Sequence, residues 1–127
     1  MNNNGTNIVN KIDYKKLVNE FLTFFYSSWK DKNINITKII NEHTRFLHQK
    51  NIYKGEDVIR LLFSTNQNTI NFEIVHTDAL EDGSRKIQIM VLGFVEQNGI
   101  KYRLAQDFTL TFQNDWKIQN SILNIFI

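Results

Sequence analysis

The sequence contains no cysteine and no proline, only 5 glycines, and no long hydrophobic run. Without cysteine, disulfide scaffolds, thiolate metal sites, iron–sulfur clusters and cysteine nucleophiles are excluded. The longest mainly apolar stretch, Ile87 to Val95, is too short to cross a bilayer, so we expect no membrane insertion. The polar start from Met1 to Asn7 lacks the hydrophobic region of a signal peptide. We therefore expect a soluble protein inside the cell.

The composition is typical of a packed globular domain. The chain has 127 residues, of which 42% are hydrophobic and 13% aromatic, and this length supports a single core. We expect a flexible, Asn-rich lead-in over residues 1–12 and one domain over residues 13–127. The net charge is only +2. Because acids are interspersed among the lysines of the first third, we expect no direct binding of nucleic acid.

The first half of the sequence shows helical periodicity. Asp13 is a candidate N-cap for a first helix. A second short helix is predicted over Asn35 to Glu42, and a third after Gly55. Between them, Thr44 to His48 and Asn51 to Lys54 are predicted to form a small two-stranded element. Apolar residues of the first helix fall on one continuous face: Tyr14, Leu17, Val18, Phe21, Leu22, Phe25 and Trp29.

The second half alternates with a period of two, which is typical of strands. Ile70, Phe72 and Ile74 are predicted to point inward on the first of these strands. Turn signals at Asp82-Gly83, Asn98-Gly99 and Gln113 to Asp115 divide this half into four consecutive strands. On the third strand, the buried series Tyr102, Leu104, Phe108, Leu110 and Phe112 is interrupted by Gln106. Helices followed by an antiparallel sheet predict an α+β domain with helices on one sheet face.

One predicted strand is apolar on both faces. An antiparallel sheet covered on one side should alternate, yet Met90, Leu92 and Phe94 would form an apolar patch on the uncovered side. Ile122 joins this patch if the last strand bulges between Ile118 and Ile122. Either a partner or loops of the same chain must cover such a patch, and we expect a partner.

Asp107 is the carboxylate that turn or capping roles do not explain. It lies in the middle of a predicted strand, on the face opposite Phe108 and Leu110. If that face binds a partner, the charge becomes buried and needs a cationic or hydrogen-bonding mate.

Few residues are suited to catalysis or metal binding. His43 and His48 are five positions apart, which is wrong for one helix face, and His76 lies far along the chain beside Asp78. No glycine-rich phosphate loop is present, and no serine stands in a nucleophile elbow. We expect no catalytic residue, no metal site and no cofactor, and therefore a protein that is not an enzyme.

Several strings stand in the order and spacing of a known family. They are Phe21 to Tyr26, Tyr53 to Gly55, Ile89 to Gly93, Gln106 to Thr111, and Trp116 to Ile118 followed by Asn120. From Tyr14 to Phe126 the chain resembles the nuclear transport factor 2 (NTF2) family. The resemblance implies a cone-shaped fold, in which three N-terminal helices pack on a curved, mainly antiparallel sheet. It also implies that the sheet pairs face to face with a second domain of this kind.

One branch of the family is a homodimeric import factor for GDP-bound Ran, which uses acidic residues at the mouth of its cavity and in a sheet hairpin. Here the hairpin runs from Glu96 to Lys101, with one acid and an added lysine. The mouth position aligns with Gln49 or its neighbours. Such a surface is poorly suited to gripping basic residues of Ran. This branch is the alternative hypothesis.

The other branch is the small subunit of the mRNA export receptor, which pairs with an equivalent domain of a large subunit. Gly93 to Arg103, Gln106 to Thr111 and Trp116 to Ile118 resemble this branch more closely. A homodimer would bring two copies of Asp107 together near its two-fold axis, whereas a heterodimer can offer Arg or Lys. One departure is that an arginine usual in this branch aligns with Asn124, so that inter-subunit salt bridge is in doubt.

The resemblance therefore predicts a nuclear transport adaptor that shuttles between nucleus and cytoplasm. It would pair with a large mRNA export subunit and support binding of nucleoporin Phe-Gly repeats at the nuclear pore. Tyr14 aligns with an aromatic that the import factor uses for these repeats, and its alternative role is packing at the helix start. A third hypothesis is an enzyme or orphan scaffold, for which His48 and Asp78 are the acid–base candidates. The predicted interface consists of Gln88, Met90, Leu92, Phe94, Arg103, Asp107, Ile122 and Asn124.

Overall fold

The computed structural model describes residues 13–64, 70–83 and 85–127. The predicted lead-in over residues 1–12 lies outside them. The described residues form two α-helices, a 3-10 helix and six strands, in this order: α1 (Tyr14–Asp31), the 3-10 helix (Ile34–Ile39), β1 (Arg45–His48), β2 (Asn51–Lys54), α2 (Glu56–Phe63), β3 (Asn71–Glu81), β4 (Lys86–Gln97), β5 (Ile100–Gln113) and β6 (Asp115–Phe126).

Helix α1 forms as its apolar spacing predicts. The Asp13 side chain accepts a hydrogen bond from the Lys16 backbone N–H at 3.1 Å, which confirms its role as N-cap. The helix ends where Lys32 adopts the left-handed conformation and its N–H bonds to carbonyls of the last turn. The buried side of α1 packs into the core against the sheet: Val18, Phe21, Leu22, Phe25, Tyr26 and Trp29.

The second predicted helix is present but shorter than predicted. The prediction covered Asn35 to Glu42, and the chain forms a 3-10 helix from Ile34 to Ile39. Its residues are asparagine, threonine and β-branched isoleucine, which are poor α-helix formers. The Asn33 side chain also caps the segment by accepting from Asn35 N at 2.9 Å, so one short turn is enough to bury Ile36.

The strands form one mixed sheet with the order β2-β1-β6-β5-β4-β3. Four pairings are antiparallel, and β1 lies parallel to β6. The hairpin of β1 and β2 was predicted, but its addition to the sheet beside β6 was not. The turn between β4 and β5 has positive φ at both Asn98 and Gly99, as the Asn-Gly signal predicts.

Two β-bulges set which side chains face the core. In β6 the pairing with β5 skips Gln119, so that Ile118 is buried while Ile122 lies on the opposite face, as predicted. In β3 the register shifts between Ile74 and His76. This second bulge was not predicted. Ile74 lies before it, opposite Gly93 on the core side of the sheet as predicted, but it is 38% exposed because β3 is an edge strand.

Candidate partner-binding surface

The sheet face that points away from the helices, here called the outer face, carries a row of aligned side chains. The pairing registers connect β3 to β2 through all six strands. The members of this central row are, in order, Asp78, Met90, Asp107, Ile122, Leu47 and Ile52. The central row therefore combines four apolar side chains with two carboxylates. Asp78 lies at its β3 end, and Asp107 lies between Met90 and Ile122.

The apolar members of the outer face are exposed. Met90 is 52% exposed, Leu92 43%, Ile122 41% and Ile52 69%. The described helices pack against the other face, where the core lies. No described segment of the chain covers these side chains, so the outer face presents an apolar surface to its surroundings.

The central row lies in a groove of about 570 Å³. Polar side chains of the neighbouring row, Gln88, Thr109 and Asn120, line it as well. Arg45 lines the β1 end, where its guanidinium donates to Asn120 Oδ1 at 3.3 Å. The groove thus has a basic group at the β1 end and Asp78 at the β3 end.

The predicted interface residues all lie on the outer face, but only some of them line the groove. Gln88, Met90, Asp107 and Ile122 line it. The other predicted residues continue the same face toward the far ends of β4 to β6, where Arg103 lies opposite both Phe94 and Phe126, and Asn124 lies opposite Ala105.

Asp107 is held by its own chain. Its Oδ1 accepts a hydrogen bond from the backbone N–H of Ile122 at 3.0 Å, and its backbone carbonyl accepts from Ser121 Oγ at 2.6 Å. A hydrogen-bonding mate, which the sequence left open, is therefore present within the chain. Among the described residues, no ion pair involves Asp107.

A buried chain of hydrogen bonds leads from helix α1 to Asp107. The Tyr26 hydroxyl donates to Gln106 Oε1 at 2.7 Å, and Gln106 Nε2 donates to Ser121 Oγ at 3.0 Å. Ser121 then donates to Asp107, as described above. Burial raises the pKa of Tyr26 far above its usual value, so that its hydroxyl stays protonated as a donor.

Lys101 of the β4–β5 hairpin is engaged by two neighbours. Lys101 Nζ lies 3.3 Å from Glu73 Oε1 and 4.5 Å from the centroid of the Phe94 ring. The lysine thus neutralises a carboxylate of β3 and makes a cation–π contact.

Tyr14 lies apart from the outer face, at the start of α1. It packs against the core and lines a second pocket of about 530 Å³ together with Val18, Thr77 and Glu81. Desolvation, followed by the nearby Glu81 carboxylate, raises the pKa of Tyr14.

The two acid–base candidates are not brought together. His48 Nδ1 lies 3.0 Å from the Leu123 carbonyl oxygen, whereas Asp78 Oδ2 lies 2.9 Å from His76 Nε2 on an exposed part of β3. Their strands are four positions apart in the sheet, or roughly 19 Å at ordinary strand spacing. The described residues contain no metal-binding group of three or more His, Cys, Asp or Glu.

Sequence patterns missed the β1–β2 contribution to this surface. Leu47 and Ile52 complete the central row because β1 pairs with β6. The alternation of Leu47 with buried Phe46 indicated that Leu47 faces away from the core. This alternation did not indicate that β1 pairs with β6. Asp78 and Leu80 were missed because β3 is mostly exposed and shows no clear burial pattern.

The architecture is that of a known class, the NTF2-like α+β fold. Structures with this fold include NTF2 from Cryptosporidium parvum, at 16% identity and a TM-score of 0.75, covering 84% of this chain and 90% of that one. The association domain of C. elegans CaMKII matches at 12% identity and a TM-score of 0.73, over 87% and 95%. A chain of the yeast deubiquitinase Ubp3 and Bre5 cofactor complex matches at 17% and 0.73, over 91% and 99%.

The chain belongs to the NTF2 domain family. The family model described as "Nuclear transport factor 2 (NTF2) domain" matches residues 17–125. No curated protein matches the sequence. No helix among the described residues is long and apolar enough to span a membrane.

Proposed function

We propose that this protein is a nuclear transport adaptor without catalytic activity, the small subunit of an mRNA export receptor. It pairs through its outer face with the NTF2-like domain of a large subunit. The exposed apolar central row is the observation that carries this proposal. Membership of the NTF2 family supports it, as do structurally similar proteins that include an association domain and a chain of a cofactor complex.

Two further features support pairing over catalysis. The groove is broad, lined by side chains of strands from both ends of the sheet, and apolar side chains are its main exposed groups. The acid–base candidates His48 and Asp78 are separated, and each is engaged by a neighbour. Pairing would place the adaptor at the nuclear pore, where Tyr14 and its pocket are the proposed contact for Phe-Gly repeats.

The proposal is tested by charge substitution on the outer face. We expect Met90→Glu and Ile122→Glu each to abolish retention by a large mRNA export subunit, because a buried unpaired carboxylate costs several kcal/mol. Ile34→Glu is the matched control, since Ile34 is also an apolar, exposed residue but lies on the 3-10 helix. Retention by the large subunit that is unchanged in both outer-face variants would contradict the proposal.

The homodimeric Ran carrier is the second candidate. One observation favours it: Arg103 and Asp107 lie on the same face of β5, so a second copy can offer an arginine to the aspartate. The hairpin disfavours it, because Lys101 compensates Glu73 and leaves Glu96 as its one acid. A stable homodimer that retains GDP-bound Ran would establish this candidate in place of the first.

A further inference from the structure

The central row of the outer face contains the carboxylate of Asp107 and no positively charged side chain. Asp107 is half-buried on β5, and its cross-strand neighbours on this face are Met90 and Ile122. Only Oδ1 has a described partner, the Ile122 N–H. A second sheet laid over the groove would remove this carboxylate from water. That is costly unless a positive charge arrives with the covering surface.

A second copy of this chain does not bring that charge when it covers the groove. Sheets that pack face to face keep their strands within about 30° of each other, so a two-fold axis can run along the strands. An axis along β5 places Asp107 over a second Asp107. An axis along the centre of the sheet, between β5 and β6, places Asp107 over Ile122. In both arrangements no basic residue of the second copy lies directly over the carboxylate.

An axis that crosses the strands at Ala105 is the exception. It places the Arg103 of a second copy over Asp107, since these residues are equidistant from Ala105 on one strand. This arrangement shifts the second copy toward the far ends of β4 to β6. Leu47 and Ile52, at the β2 end of the central row, are then left uncovered.

We propose that the partner of the outer face supplies an Arg or Lys side chain over Asp107, and that this requirement selects a different NTF2-like domain over a second copy. The proposal rests on the pairing function proposed above. Asp78 lies in the same row two strands away, roughly 10 Å at ordinary strand spacing. Arg45 at the β1 end calls for an acid on the same partner.

The position of Asp107 is fixed before any partner arrives. The Ile122 amide holds the carboxylate, and Ser121 holds the backbone carbonyl of the same residue. Ser121 is oriented in turn by Gln106 and Tyr26. A carboxylate held in this way loses little conformational entropy on binding a cation, which favours a specific ion pair over a loose one.

Copies of this chain that carry a lysine serve as the probe. We expect the wild type alone and Asp107→Lys alone to sediment as monomers at low ionic strength. A dimer should form in an equimolar mixture of these two proteins, which offers a lysine to Asp107 in the first of the two arrangements above. Its association should be at least about tenfold tighter than that of the wild type and should weaken as salt is added. Asp115→Lys, which makes the same change on the β5–β6 turn, should give no dimer.

Two results would overturn the inference. One is that the equimolar mixture remains monomeric, which would mean that a missing cation is not what limits pairing. The other is a wild-type dimer that Arg103→Gln and Asp107→Asn weaken, which would identify a second copy as the partner. Failure of the proposed function is a separate result, because it is read from retention of Met90→Glu and Ile122→Glu by the large subunit.

Discussion

Gln106 is the residue whose role changes most between sequence and structure. In the sequence it interrupts an apolar series on β5, and in the structure it is buried at 2% exposure. Both polar atoms of its amide have a partner, because Oε1 accepts from Tyr26 on α1 and Nε2 donates to Ser121 on β6. Its position on the buried side was predictable from alternation. Its partners were not, because they come from elements distant in the chain.

Removal of the Tyr26 hydroxyl tests this network. Tyr26→Phe keeps the ring contacts with Phe25 and Phe108 but leaves Gln106 Oε1 without its donor. We expect a loss of about 1–3 kcal/mol in the free energy of unfolding, measured with urea, because a buried acceptor is left unsatisfied. Tyr53→Phe, which changes a half-buried tyrosine of the mostly exposed β2, is the control and should cost less. Equal losses in the two variants would show that the hydrogen bond contributes little.

The same tyrosine makes stability depend on pH in the alkaline range. Burial raises the pKa of Tyr26 in the folded state, whereas in the unfolded chain it is about 10. Above that pH the unfolded chain loses this proton and the folded one keeps it, so the stability of the wild type falls as pH rises. The stability advantage of the wild type over Tyr26→Phe should shrink by about 1.4 kcal/mol per pH unit above pH 10. A difference between the two proteins that stays constant up to pH 11 would contradict a buried, protonated Tyr26.

At the scale of the strand, Gly93 allows β3 and β4 to approach closely. A Cβ added at Gly93 would lie 2.1 Å from the Glu73 carbonyl oxygen and 3.1 Å from Ile74 Cα. Gly93→Ala should therefore displace β3 and cost about 1–3 kcal/mol, with faster amide hydrogen exchange along β3. Gly83→Ala is the control, since nothing lies within 4 Å of its Cβ and only its positive φ is strained. Unchanged exchange along β3 in Gly93→Ala would show that the strand absorbs the methyl group.

The two bulges show what strand patterns can and cannot predict. The bulge in β6 was predictable because the strand contacts the core both before and after it. Ile118 and Leu123 are both buried although they are five residues apart, and a regular strand would place them on opposite faces. The bulge at Val75 was not, because β3 is an edge strand whose residues are mostly exposed. A register shift leaves a signal in the sequence only where burial selects one face.

At the scale of the whole molecule, the outer face is assembled from two parts of unequal predictability. Its β4 portion was predictable, because a strand that is apolar on both faces must pack against another layer on each face. Its β1–β2 portion depends on a parallel pairing between Leu47 and Ile122, and no local pattern encodes which strand a hairpin joins. The charge pattern across the groove, with Arg45 at one end and Asp78 at the other, follows from the same pairing.

The core face of the sheet stabilises the fold, whereas the outer face is proposed to bind the partner. Substitutions at the neighbouring β4 residues Ile89 and Met90 test this division. Met90→Glu should leave the free energy of unfolding of the isolated chain within about 0.5 kcal/mol of the wild type, because the side chain is exposed on the outer face. Ile89→Glu should unfold the chain, because it places a carboxylate in the core. A bound partner stabilises only the folded state, so the large subunit should raise the melting temperature of the wild type and not that of Met90→Glu. If Met90→Glu alone lowered stability as much as Ile89→Glu, the outer face would belong to the core of this chain, and its apolar row would need no partner.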